Sequence, residues 1–168
     1  MILICYDGSE DARAAIGQAA ELFPNESASV LTVWQPFVQL ASRAAIGYGV
    51  VPTFPNPEEI DEATRTHAEQ VAAEGAELAQ QAGLTATAAS CAQGSTIGRA
   101  ILSRADEAGA GAIVMGSRGL TGLKSLLLGS VSHEVIQHAD RAVVVVPSPR
   151  VAASRAEAMD PELSHASG

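Results

Sequence analysis

Gly116-Ser117-Arg118-Gly119, followed at a fixed distance by Gly129-Ser130, is the pattern in this chain best suited to chemistry. Its spacing is Gly-x2-Gly-x9-Gly-Ser, and it runs from the end of one apolar segment to the start of an amphipathic one. Glycines at the end of a strand let backbone amides approach a ligand that side chains would hold away. The first turn of a helix adds unpaired N–H groups and the positive end of a dipole, which together make an anion site. Ser130 is positioned by sequence to cap that helix and to donate its hydroxyl to a phosphate oxygen. A flexible glycine loop closed by an ordinary serine cap is the plain alternative. A second candidate is Asp7, in Asp7-Gly8-Ser9 at the end of the first apolar run. It is either a ligand-facing carboxylate or the turn residue of any strand that feeds a helix. Arg118 and Lys124 are the cations of the loop, and each could meet a phosphate chain or stay solvated. No residue of the loop is suited to orient an attacking water: Ser130 is a poor base and His133 falls one turn into the helix. Binding with little or no steady-state turnover is therefore the expectation.

These residues need elements to hold them. Ile2–Tyr6 is a short apolar run that reads as a buried strand. Ser9 caps a helix whose stripe is Ala12, Ala15, Ile16, Ala19, Ala20 and Phe23, stopped by Pro24. Ala28–Trp34 is the second strand and Glu58–Ala82 a long helix ended by Gly83. Leu84–Ala92 is more polar, as an edge strand would be, and Ser95–Ala108 gives the third helix. Ala112–Gly116, Ser130–Ala139 and Ala142–Val146 complete the series as strand, helix and strand. Strands apolar on both faces that alternate with amphipathic helices require a parallel sheet covered on both sides. The fold class is thus α/β, a doubly wound five-stranded sheet, with ligands expected beyond the carboxyl ends of the strands. Residues 1–147 form this domain. The connector 35–57, with four prolines, is expected to be a flap or a mobile segment. Residues 148–168 follow two prolines and are read as a flexible C-terminal tail outside the fold.

Composition removes several classes of function. With 168 residues, 47% hydrophobic and 17% charged, the chain can build one core. A net charge of −9 and a pI near 4.8 speak against nucleic acid as a partner. Seven acids against Arg65 alone lie between Glu58 and Glu77, a pattern that fits a solvated helix face and leaves the glycine loop free of acids. No apolar run approaches the roughly 20 residues of a membrane span. The chain starts in a strand with no basic segment before it, so no membrane association and a cytoplasmic location are expected. Cys5 and Cys91 fall on the first and third strands and are expected to be core fillers, too far apart for a disulfide. His133 and His138 lack the spacing of a helical metal pair and read as surface residues.

The Gly-x2-Gly-x9-Gly-Ser loop, the Asp-Gly-Ser closing the first strand and the valine-rich last strand together resemble the nucleotide-binding branch of the universal stress protein family, over Met1 to Pro147. The resemblance implies a sheet in the order 3-2-1-4-5 and ATP as ligand. Asp7 would lie beside the adenosine, and Val33 would offer backbone groups to the adenine edge. Met115 and Gly116 would pack near the ribose, while Gly119, Gly129, Ser130 and Val131 would surround the phosphates. Mg²⁺ would accompany the triphosphate as its charge partner rather than as a protein-held metal. The function so implied is a stress-response binding module whose nucleotide state alters its shape or partners. A slow ATP hydrolase or adenylating enzyme, and an interaction protein without ligand, are the alternatives. The chain has neither a P-loop Gly-x4-Gly-Lys nor the Gly-x-Gly-x-x-Gly of dinucleotide enzymes. Val143, Val144, Val145 and Val146 would form an edge without charge or bulge. The expectation there is a two-fold homodimer through that strand, as the resemblance also implies.

Overall fold

Ile2-Leu3-Ile4 carries no polar residue on either side, so as a strand it must be covered on both faces. The computed structural model describes residues 1–39, 41, 56–119 and 128–159, and places this segment at the centre of the sheet. Among the described residues the main elements alternate as β1 (Ile2–Cys5), α1 (Glu10–Leu22), β2 (Ser27–Trp34), α2 (Pro57–Gln81) and β3 (Thr85–Ala92). They continue as α3 (Ile97–Glu107), β4 (Ala112–Gly116), α4 (Ser130–His138), β5 (Ala142–Val146) and α5 (Pro149–Met159). The sheet is parallel throughout, in the order β3-β2-β1-β4-β5. Ile4 sits beside Val30 on one flank and Val114 on the other.

Strand periodicity sorts the core into two layers. Ile2, Ile4, Val30 and Val114 meet the alanine-rich stripes of α1 and α2, including Ala12, Ala15, Ala76 and Ala79. Leu3, Leu31, Ile113 and Met115 meet Ile101 and Ala105 of α3 and Val135 of α4 on the other face. The chain winds from β1 outward to β3, then returns to β4 on the far side of β1. The winding therefore reverses between β1 and β4, and their carboxyl ends open a crevice there.

Within the segment expected to be a tail, residues 148–159 carry structure. Ser148 and Val151 are buried, and Pro149–Met159 is helical. Proline at the first helical position has the φ a helix needs and lacks only an N–H that would be unbonded anyway. Ser148 receives the Ala152 N–H on its carbonyl at 2.9 Å and the Val151 N–H on its hydroxyl at 3.4 Å. Ser-Pro thus starts a helix here rather than ending the fold. Residues 160–168 and most of the connector lie outside the described residues; within it, 37–39 and 41 are helical.

Two helical glycines answer the same substitution with opposite signs. A Cβ at Gly75 would stand 2.6 Å from the Tyr6 ring and 2.8 Å from Val30 Cγ1, whereas at Gly17 it would meet nothing within 4 Å. Alanine gains about 1 kcal/mol of helix propensity over glycine at either site. Overpacking at Gly75 costs about 1–3 kcal/mol, which outweighs that gain. Gly17→Ala is expected to raise Tm and Gly75→Ala to lower it, by about 2–4 °C per kcal/mol in thermal unfolding. A Gly75→Ala protein as stable as Gly17→Ala would contradict the packing.

Candidate functional site

Beyond the ends of β1, β2 and β4 lies a cavity of about 360 Å³. Its floor is apolar, with Leu31, Val33, Ile97, Ile101 and Met115, and its rim is polar, with Asp7, Gln35, Arg118 and Ser130. Such a vessel, greasy below and polar at the mouth, suits a ligand with a flat apolar part and a charged tail. Asp7 is a turn residue whose second carboxylate oxygen lies toward the glycine loop. Its Oδ1 accepts the Ser9 N–H at 3.0 Å, which makes the turn, with Gly8 at φ +80°. Its Oδ2 faces the loop, where a Cβ on Gly119 would come within 2.7 Å of it. Ser9 in turn caps α1 by accepting the Ala12 N–H at 3.2 Å.

The two ends of the glycine loop are stitched together at one carbonyl. Ser117 C=O accepts the Gly129 N–H at 2.9 Å and the Ser132 hydroxyl at 3.0 Å. Ser117 N–H donates to Val146 C=O at 2.8 Å, which ties the loop to the end of β5. The α4 cap is Gly129, not Ser130 as the sequence led one to expect, and no side chain caps this helix. Ser130 is the first residue of the helix. Among the described residues no side-chain hydrogen bond caps the start of α4, and Gly129, Ser130 and Val131 line the cavity. Lys124 lies outside the described residues.

Electrostatics divide the groups around the crevice into fixed and inert. Burial of Asp11 opposes its ionisation, yet hydrogen bonds from Ser117 and from the side chain and backbone of Ser148, with Arg118 nearby, prevail. Its carboxyl is held below the usual carboxylate range. Ser117 Oγ donates to Asp11 Oδ2 at 2.7 Å, and the Arg118 N–H donates to the same oxygen at 3.1 Å. Burial, with the neighbouring Asp7 and Cys91, pushes the Cys5 thiol up to about 12. Cys91 is raised as well, chiefly by burial. Both cysteines are free, on strands separated by β2.

All eight residues singled out from the sequence, Asp7, Val33, Met115, Gly116, Gly119, Gly129, Ser130 and Val131, line this one cavity. His133 and His138 are exposed. Sequence reasoning passed over Asp11, whose partners Ser117 and Arg118 are distant in the chain, and also Ser132 and Ser148. It also passed over Ile97 and Ile101 of the third helix, which line the cavity. Asp11 did carry a signal, since it stands four residues before Ala15 on an otherwise apolar stripe. Among the described residues no group of three His, Cys, Asp or Glu could hold a metal ion. No helix among them is long and apolar enough to cross a membrane.

The model of the Universal stress protein family matches residues 1–147. Universal stress protein YxiE of Bacillus subtilis is 52% identical over 46 residues, which is 27% of this chain and 31% of that protein. Universal stress protein Slr1101 of Synechocystis is 46% identical over 52 residues, 31% of this chain and 48% of that protein. The matched stretches thus span less than half of these curated relatives. Among solved structures, universal stress protein UspA from Lactobacillus plantarum superposes with a TM-score of 0.65 at 19% identity, covering 86% of this chain and 95% of that one. The Archaeoglobus fulgidus universal stress protein in complex with dAMP gives 0.56 at 19% identity, with 86% and 95% covered. A universal stress protein in complex with cAMP gives 0.58 at 21%, with 88% and 95% covered. At these identities the structural likeness is one of fold.

The low carboxyl of Asp11 makes stability depend on pH. Its unfolded value is near about 4, and the folded value is lower, so on acidification the unfolded chain takes up the proton first. The stabilisation is therefore complete above about pH 5 and is lost as pH falls through the unfolded and then the folded value. Urea unfolding from pH 3 to 7 is expected to show Asp11→Asn less stable than the wild type at neutral pH, with the gap narrowing toward pH 3. A gap that stays constant over this range would contradict it.

Proposed function

The chain belongs to the universal stress protein family, and from that membership we propose that it is a cytoplasmic stress-response protein that binds ATP in the cavity beyond β1 and β4. Its nucleotide state would then govern which shape or partner it adopts. The observation that carries this is the convergence of Asp7, Val33, Met115, Gly116, Gly119, Gly129, Ser130 and Val131 on one cavity. Relatives of the same fold have been described in complex with dAMP and with cAMP, which makes adenine nucleotides the ligand class to propose. The residues present fit such a group. The apolar floor suits a purine, with Val33 offering backbone groups to its edge and Met115 and Gly116 beside the ribose. Asp7 stands beside the adenosine. The α4 start, without a side-chain cap, supplies backbone N–H groups and Ser130 a hydroxyl to the phosphates. Gly119 and Gly129 leave room for them. Mg²⁺ would come with the triphosphate as its counter-charge.

Calorimetric titration with ATP tests this. Gly129→Val and Gly119→Val both place bulk where phosphate oxygens would lie, by different routes. The Cβ at 119 presses on the movable Asp7 carboxylate, and that at 129 comes 3.1 Å from Ser117 C=O. Loss of two charge-assisted hydrogen bonds, each about 1.5–3 kcal/mol, weakens binding by about a hundredfold or more. Circular dichroism should show both variants folded. Wild-type affinity in both folded variants would overturn the assignment.

We also propose a two-fold homodimer through β5. This strand is at the sheet edge, and its Val143, Val144 and Val145 carry neither charge nor proline. Val144 packs toward α1, while Val143 and Val145 pack toward the opposite core. A lysine at 144 would therefore disturb the core as well as any contact, so the native chain is the better probe. Light scattering at micromolar protein is expected to give twice the 17.2 kDa of the chain. A monomer mass would refute the dimer.

A further inference from the structure

We propose that Gln35 reads the 6-amino group of a purine base in the cavity, and that Gln93 beside it sets which end of the Gln35 amide faces the base. This rests on the nucleotide assignment above. Gln35 follows Val33 by two residues, the spacing that keeps side chains on one face of a strand, and both line the cavity. Asp7, Arg118 and Ser130 reach the rim from the end of β1 and from the glycine loop, so Gln35 is the rim side chain that β2 supplies. Around it the floor is apolar, with Leu31, Ile97 and Ile101. The Gln35 amide takes part in no hydrogen bond among the described residues.

Strand β3 brings a second amide alongside. Val33 is in register with Cys91 and Trp34 with Ala92, and the Gln93 N–H closes the ladder on Trp34 C=O at 2.6 Å. Gln35 and Gln93 therefore leave the sheet side by side. Gln93 is 3% exposed, and its backbone is pinned because its C=O and that of Gly94 both accept Gln39 Nε2 at 2.8 Å. Its side-chain Oε1 is nonetheless buried without a hydrogen-bond partner, and no other buried side-chain nitrogen or oxygen among the described residues is in that state. Native folds rarely leave such an acceptor unmet. The Gln35 amide next to it carries two donors. With Gln35 Nε2 on Gln93 Oε1, the Gln35 Oε1 turns to the cavity. An oxygen there accepts from a 6-amino group and repels a 6-oxo group. A base edge lying along β2 meets the Val33 backbone first and this oxygen next. The ligand class is thus a 6-aminopurine nucleotide, with 6-oxopurines turned away.

ATP and ITP differ only on that edge of the base, and calorimetric titration of the full chain with each provides the test. The wild type is expected to prefer ATP by about tenfold or more. Gln35→Leu is expected to lower that preference by about fivefold or more. Gln35→Glu, which still presents an acceptor, is expected to keep it. Gln93→Met retains the bulk but removes the acceptor, and is expected to lower the preference by about threefold or more with Gln35 intact. Because the two ligands share ribose and phosphates, a variant that merely loosens the fold loses both affinities together and keeps their ratio. A wild-type ratio in Gln35→Leu therefore overturns reading by Gln35, and the same ratio in Gln93→Met overturns its orienting role. A wild type that binds ATP and ITP equally overturns the inference and leaves the nucleotide assignment standing. A wild type that binds neither overturns that assignment and this inference with it.

Discussion

Between the last residue of β4 and the first turn of α1 there is room for a hydrogen atom and nothing larger. Gly116 meets the backbone of Asp11 and Ala12 at distances no side chain could tolerate, and much of the crevice follows from that contact. It brings the Asp11 carboxylate to Ser117, and Ser117 then closes the loop onto Gly129 and Ser132. It also sets the start of α1, and with it the turn in which Asp7 serves one side of the crevice with each oxygen. A glycine first read for its nearness to a ligand is thus equally a packing residue. Few residue types meet both demands at once.

The sheet also separates charges. The acids of α2 lie on the face shared with α1, while the cavity is walled by α3 and α4 on the opposite face. Glu74, the one of those acids turned toward β1, accepts hydrogen bonds from Tyr6 at 2.7 Å and Arg13 at 2.9 Å. The sheet thus stands between the acids of α2 and the start of α4.

The element order was legible because most strands are apolar on both faces and each helix on one, while the strand order came from the family resemblance. Those patterns report burial directly. The glycine loop was legible because glycine and serine at a strand-to-helix junction have a local meaning. What escaped were contacts between residues far apart in sequence. Asp11 looks like an ordinary first-turn acid, and its partners stand 106 and 107 residues away. Ser148-Pro149 looks like a stop because proline ends helices, yet the same pair begins one when an alanine-rich run follows. The α4 cap slipped by one residue, from Ser130 to Gly129, because only backbone angles distinguish the two.

The thiols under the cavity have a consequence for oxidation. Peroxides and disulfides react with thiolate, not thiol. Burial pushes the Cys5 thiol up to about 12, so it stays protonated at neutral pH. Cys91 is raised as well and faces it across β2. Cys5, in the lining of the cavity, is thus held as the less reactive thiol.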